Sequence, residues 1–208
     1  MLELSYIATY YLSPTTYPYL CYNRPMPQPN LPITQLGNPI LRQKALPITR
    51  EQLKDIETRR LITNIKKVLK DSDDLGLAAN QINQIVSLFA VNIPPKLMGH
   101  RTVGVPLQVI INPKIIERSK EIIDDWEGCL SFNYLRGRVP RHQQVVVEAW
   151  NEQGESITIE AYDIYARVLQ HEIDHLEGIL YLDRMTDLKS LMGLEEFRER
   201  NGKEMIVE

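Results

Sequence analysis

His171-Glu172-Ile173-Asp174-His175 is the stretch of this chain best equipped for chemistry. On an α-helix, side chains four residues apart stand one above the other on a single face. His171 and His175 can then offer two imidazoles to one transition metal, with Glu172 placed to work on a water. The chain has four histidines, and two of them fall in this arrangement. A solvated helix face could carry the same pattern by chance, but Ile164, Val168 and Leu169 mark this helix as core-packed. A catalytic metal with two histidine ligands needs a third protein ligand and an open position. Cys129, within Glu127-Gly128-Cys129-Leu130-Ser131, can supply a thiolate, a strong ligand for late divalent metals. A small buried apolar residue is the other reading of a free cysteine. A third island, Asp74-Leu75-Gly76-Leu77-Ala78-Ala79-Asn80-Gln81, joins small residues that admit close backbone approach to the uncharged amide of Gln81. Alone, it reads as a tightly packed turn.

These islands need elements to hold them. Thr49 and Gln52 have capping-box spacing ahead of a helix marked by Leu53, Ile56, Leu61, Ile65, Val68 and Leu69. That helix is expected to run to Lys70, with 71–74 ending it. Residues 85–91 and 109–111 are short β-rich runs, Ile122 and Ile123 precede a break at Trp126-Glu127-Gly128, and 145–147 and 157–159 read as strands joined by a turn over 151–154. Residues 162–177 form the helix that carries the histidines, with Gly178 as its C-terminal cap. A last amphipathic segment spans 187–200. Helix, several strands, then helix, without regular βαβ alternation, predicts an α+β fold.

Composition narrows the function classes. The 208 residues are 43% hydrophobic and 25% charged, with a net charge of −3. A chain of this size can build its own core. Its charge balance argues against a nucleic-acid-coating protein, and no apolar run approaches the ~18 residues that cross a bilayer. Two cysteines, Cys21 and Cys129, cannot make a disulfide framework. A cytoplasmic, reducing setting is the expectation. Residues 1–30 differ from the rest: Tyr6, Tyr10, Tyr11, Tyr17, Tyr19 and Tyr22 are mixed with prolines and keep neither helical nor strand period. They are expected to be an N-terminal extension, disordered or upstream of a true start at Met26. Residues 31–208 are expected to form a single catalytic domain.

Taken together, G-x-A-A-x-Q (Gly76 to Gln81), E-G-C-L-S (Glu127 to Ser131) and Q-H-E-x-D-H-L-x-G (Gln170 to Gly178), in this order, closely resemble the peptide deformylase family. The resemblance begins at Leu36-Gly37-Asn38-Pro39-Ile40-Leu41-Arg42, includes Arg138-Val139-Pro140-Arg141 and reaches the C-terminal segment. Two positions depart from the family pattern. Asp74 stands where the first motif has its first glycine, and Phe132-Asn133 replaces an aliphatic residue and a proline. Asp is among the few non-glycine residues that visit the left-handed region, so the turn at Asp74 is expected to survive there.

The resemblance implies antiparallel strands wrapped around a central metal-binding helix, with an N-terminal helix and a C-terminal helix. It implies one Fe²⁺ per chain, with Zn²⁺, Ni²⁺ or Co²⁺ as substitutes, held by Cys129, His171 and His175. Glu172 would serve as base and then acid. The Gln81 amide and the Leu130 N–H would donate to the developing oxyanion. Glu127 and Arg141 would pair in support of the ligands, Gly76 would lie beside the substrate, and Arg136 would touch the peptide backbone. Val91, Ile164 and Val168 are read as core. The implied substrates are nascent polypeptides beginning with N-formylmethionine, the products formate and a free amino terminus. The ribosome near its exit tunnel is an implied partner; a membrane or a specific nucleic-acid sequence is not. Two rivals stand beside this reading: a zinc endopeptidase taking a downstream ligand such as Glu195, and a catalytically inactive relative that binds emerging chains.

Overall fold

The structure, a computed structural model, describes residues 32–72, 74–98 and 103–201. The expectations for residues 1–30 and for Cys21 lie outside these residues. In chain order the elements are α1 (Ile56–Lys70), β1 (Gly76–Ala78), β2 (Leu88–Ile93), β3 (Val105–Arg118), β4 (Ile122–Glu127), β5 (Leu135–His142), β6 (Gln144–Trp150), β7 (Ser156–Tyr162), α2 (Asp163–Leu176), α3 (Tyr181–Arg184), β8 (Met192–Gly193) and α4 (Leu194–Asn201). Five strands form one sheet in the order β1-β2-β3-β6-β7, and β4-β5-β8 form a second. Every pairing is antiparallel. This is the α+β arrangement that the sequence order predicts.

Strand alternation explains why the larger sheet lies between two helices. Successive side chains on a strand point to opposite faces. Leu88 and Ala90 of β2, with Val109 and Ile111 of β3, pack with Leu61, Ile62, Ile65 and Leu69 of α1. Their neighbours Phe89, Val91 and Ile110 face the other way and pack with Tyr165, Val168, Leu169 and Leu176 of α2. α2 is buried on almost all sides, so its polar residues must find partners inside the fold. A third cluster, including Leu41, Cys129, Phe132, Val139 and Tyr181, packs beneath the end of β4.

Several local expectations shift. The reciprocal bonds of a capping box are present: Thr49 N–H donates to Gln52 Oε1 at 2.8 Å, and Gln52 N–H to Thr49 Oγ at 3.2 Å. They close a 3-10 turn at Gln52–Lys54, however, and α1 starts after it at Ile56, with Asp55 as its N-cap. Ile85 and Val86 precede β2, where Val86 makes only an isolated bridge to Leu46. The segment 187–200 is not one helix: a 3-10 turn at Leu188–Ser190 and the short strand β8 come before α4. A two-residue strand pairing with β5 leaves no periodicity to read. The Asp74 side chain supports the turn there, with Oδ1 accepting from the Leu75 N–H at 2.8 Å. Among the described residues, no helix is long and apolar enough to cross a membrane.

Candidate metal centre and catalytic cleft

His171 and His175 project from α2 with ring centroids 4.9 Å apart. Cys129 lies just beyond the end of β4, where the chain leaves the strand for a 3-10 turn at Leu130–Phe132. Its Sγ is 3.3 Å from His175 Nε2. Ligand atoms of Cys129, His171 and His175 all lie within 4.8 Å of one another, and no other such group occurs among the described residues. Glu195, the alternative ligand, is exposed on α4 and outside this group.

A network of buried charges fixes the first imidazole. Glu127, the last residue of β4, is within 2.9 Å of His171 Nδ1, so the ring's Nε2 is left for a ligand. Arg141 on β5 grips the same carboxylate through Nε at 2.8 Å and Nη2 at 3.0 Å. Its Nη1 donates to Asp174 Oδ2 at 2.5 Å. Arg167 reaches Glu127 at 2.8 Å, and Arg184 donates to Asp174 Oδ1 at 2.7 Å. Burial opposes ionisation of Glu127, yet Arg141 and His171 hold its carboxyl well below the usual range. The same exchange holds Arg141 firmly protonated.

The two imidazoles are driven in opposite directions. Burial disfavours charge on His171, but hydrogen bonds with Cys129 and Glu127 outweigh it and lift its pKa well above the ordinary value. Burial, with repulsion from His171 and Arg141, pushes His175 well below. Burial also raises the Cys129 thiol. Three buried sulfur and nitrogen donors this close together fit a site for a divalent transition ion.

Glu172 lies on the same helix beside the donors, with 3% of its surface exposed. Its Oε2 has no hydrogen-bond partner, and burial pushes its pKa up to about 8. Gly76, opening β1, faces it closely: a Cβ built there would fall 2.3 Å from Glu172 Oε1. The glycine is the space that the carboxyl occupies. Gln81 sits in the 3-10 turn at Ala79–Ile82 after β1. The Ala78 N–H anchors its Oε1 at 2.7 Å, which aims Nε2 at Cys129 Sγ and Ser131 Oγ, each 3.3 Å away. Leu130 opens the turn that follows Cys129. A cleft opens over Glu172 and His171, lined further by Asp74, Trp126, Ile164 and Val168.

The sequence-expected residues Gly76, Gln81, Glu127, Cys129, Leu130, Arg141, His171, Glu172 and His175 therefore meet around one centre. Arg136 is buried and donates to the Asn133 and Leu135 carbonyls at 2.8 Å. Ile164 and Val168 pack in the core and line the cleft as well, whereas Val91 is core alone. Phe132 fills the third cluster and stacks on Tyr181 at 5.0 Å. Sequence reasoning missed Asp174, Arg167 and Arg184 as members of the charge network. Arg167 carried a signal: a lone arginine amid Tyr165, Ala166, Val168 and Leu169 on a core helix requires a buried acidic partner.

Comparison with known proteins follows from this geometry. The sequence family described as polypeptide deformylase matches residues 30–191. Peptide deformylase 2 of Nostoc sp. is 38% identical over 169 residues, which cover 81% of this chain and 93% of the relative. Peptide deformylase of Thermomicrobium roseum is 38% identical over 167 residues, covering 80% and 92%. Among solved structures, a class I type b peptide deformylase from Acinetobacter baumannii with Met-Ala-Ser bound is 30% identical. Its TM-score is 0.68, with 74% of this chain and 98% of that chain covered. Peptide deformylase 1B of Arabidopsis thaliana in complex with an inhibitor is 36% identical, at a TM-score of 0.66 and coverage of 80% and 86%.

Proposed function

This chain belongs to the peptide deformylase family, and we propose that Cys129, His171 and His175 hold its metal while Glu172 moves the proton. The reaction is hydrolysis of the formamide bond at the N-terminal formylmethionine of newly made polypeptides, with release of formate. The observation that carries the division of labour is the convergence of a thiol and two imidazoles within 4.8 Å, on the helix that also holds Glu172.

Cys129, His171 and His175 would hold a divalent ion that, when bound, would supply Lewis acidity and lower the pKa of water toward neutrality. We read the resident ion as Fe²⁺, one per chain; the same donors also take Zn²⁺, Ni²⁺ or Co²⁺. Glu172 accepts the proton that the attacking water gives up and returns it to the departing amine, base and then acid. Burial of its carboxyl, which raises its pKa in the metal-free chain, favours its holding that proton between the two steps. Gln81 Nε2, aimed by the Ala78 N–H, and the Leu130 N–H donate to the formyl oxygen as negative charge builds on it. One such donor is worth roughly 3–4 kcal/mol in other enzymes. Glu127 and Arg141 keep the His171 ring in a fixed orientation.

The relative bound to Met-Ala-Ser supports reading the cleft as the seat of a chain that begins with methionine. Ile164 and Val168 offer that side chain an apolar wall. Residues 31–208 are read as one catalytic domain, acting in the cytoplasm on chains emerging from the ribosome. Formate release from a formyl-Met-Ala peptide tests the assignment, using protein loaded separately with Fe²⁺, Ni²⁺ or Zn²⁺. Glu172→Ala is expected to keep its metal and lose about 10²- to 10⁴-fold in turnover. Full turnover in that variant, or loss of its metal, refutes the role given to Glu172.

A further inference from the structure

Trp126 stands near the end of β4, beside Glu127 and shortly before Cys129. β4 is an edge strand of its sheet, paired with β5 on one side. Adjacent side chains of a strand point to opposite faces. Glu127 is turned toward α2, where it meets His171 and Arg167, so the indole of Trp126 is sent to the other face. There it meets Phe197 of α4 edge to face, with ring centroids 5.0 Å apart. Trp126 also lines the cleft over Glu172 and His171. A single residue therefore joins the cleft wall to α4.

Phe197 has no part in the main cores. α4 is a polar helix, Leu-Glu-Glu-Phe-Arg-Glu-Arg-Asn, and Phe197 is its one buried residue, 1% exposed. Neither Phe197 nor Trp126 belongs to the three hydrophobic clusters that hold the domain together. α4 also lies beyond residue 191, where the match to the family ends. A buried aromatic on such a helix gains little for the core, and the ring it rests on belongs to the cleft.

We propose that Phe197 is a positioning residue: through Trp126 it fixes one wall of the cleft and so sets how tightly the formylated chain is bound. The proposal rests on the deformylase reading. Aromatic pairs of this geometry shift an equilibrium by about two- to tenfold beyond the area they bury. The loss is expected in KM. Glu127 keeps Arg141, Arg167 and His171 when Phe197 is removed, and Cys129 packs in a separate cluster, so the metal centre does not lean on α4. A change that weakens substrate binding and spares the reacting groups raises KM and leaves kcat in place.

The test uses the full chain loaded with Ni²⁺ and the amide of formyl-Met-Ala-Ser as substrate. Phe197→Ala is compared with Phe197→Leu, which keeps an apolar side chain but loses the ring. Expected are a KM about five- to tenfold higher in Phe197→Ala and about two- to fivefold higher in Phe197→Leu, with kcat within about twofold and metal content unchanged. The chain has two tryptophans, so the same variants in a Trp150→Phe background report on Trp126 alone by fluorescence. Its emission is expected to move to longer wavelength when Phe197 is removed. Wild-type KM in a folded variant, checked by circular dichroism, overturns the proposal. So does a kcat that falls in step with metal content, the mark of a purely structural role. Emission that stays fixed in both variants breaks the link through Trp126 and overturns it as well. Should Phe197→Ala fail to fold, Phe197→Leu decides alone. Silence from the metal-loaded wild type instead refutes the deformylase reading on which the proposal rests.

Discussion

Replacing Gly76 with alanine is expected to leave fold and metal site in place and remove most of the turnover. A Cβ at this position falls 2.3 Å from Glu172 Oε1, 2.7 Å from Cδ and 2.8 Å from Cγ. Ordinary contact begins at 3.4 Å, so the carboxyl must retreat by about 1.1 Å. The backbone raises no objection, since Gly76 is not among the glycines of positive φ. Removing glycine's excess freedom contributes about 0.5–1 kcal/mol toward stability, which offsets the adjustment. Misplacement of a catalytic group by about 1 Å costs about 10²-fold in rate, or about 2.7 kcal/mol of barrier. The assay joins formate release to metal analysis and a thermal melt. Expected are unchanged metal content, a melting temperature within a few degrees of wild type, and kcat lower by about 100-fold. The double variant with Glu172→Ala should lose little beyond Glu172→Ala alone, because both changes act through one carboxyl. Wild-type kcat in Gly76→Ala would refute the argument that this glycine exists to seat Glu172.

Two further predictions concern the buried charges. Arg141→Met leaves Asp174 with Arg184 and Glu127 with Arg167 and His171, each missing its most buried cation. Breaking a buried pair costs about 3–5 kcal/mol, and at about 2–4 °C per kcal/mol a melting temperature roughly 10 °C lower is expected; a change within 2 °C would show the network to be dispensable. In chelator-treated protein, burial pushes the Glu172 pKa up to about 8 from an ordinary value of 4.5. The folded chain then holds a proton that the unfolded chain has released. This contribution is fully present below about pH 4.5 and is lost as pH rises through about 8. Thermal melts from pH 5 to 8.5 should show stability falling more steeply in the wild type than in Glu172→Gln, and parallel curves refute the shift.

What the sequence discloses follows the range of the interactions involved. His171 and His175 are legible because their relation is local: four residues on one helix are one turn. The strands at 145–147 and 157–159 are legible for the same reason, since a short turn joins them and the pairing runs unbroken from Gln144↔Tyr162 to Trp150↔Ser156. Cys129 is different. Its place beside His175 depends on how β4 ends against α2, and only the resemblance of the E-G-C-L-S motif points to it. Asp174 meets Arg141 across 33 residues of chain, and Arg167 meets Glu127 across 40. Neither pairing leaves a spacing that a reader of the sequence could use. The capping box misleads in the opposite way: Thr49 and Gln52 form the expected bonds, but local hydrogen bonds cannot tell a 3-10 turn from the start of a longer helix.

The charge network is better understood as an orienting device than as a source of stability. Its members could be replaced by apolar residues of similar volume at little net loss, since burying ion pairs roughly cancels their attraction. What an apolar substitute cannot do is distinguish the two ring nitrogens of His171. Glu127 does so by occupying Nδ1, and Glu127 is itself held on both oxygens by Arg141. His175 has no comparable carboxylate; its Nδ1 is buried without a partner, and its carbonyl is held instead, by the Asn80 amide at 2.6 Å. One imidazole is thus oriented through its ring and the other through its backbone. The first is favoured in its charged form and the second in its neutral form. Glu127 thus sets which nitrogen of His171 faces the site, and Asn80 sets where the His175 ring stands.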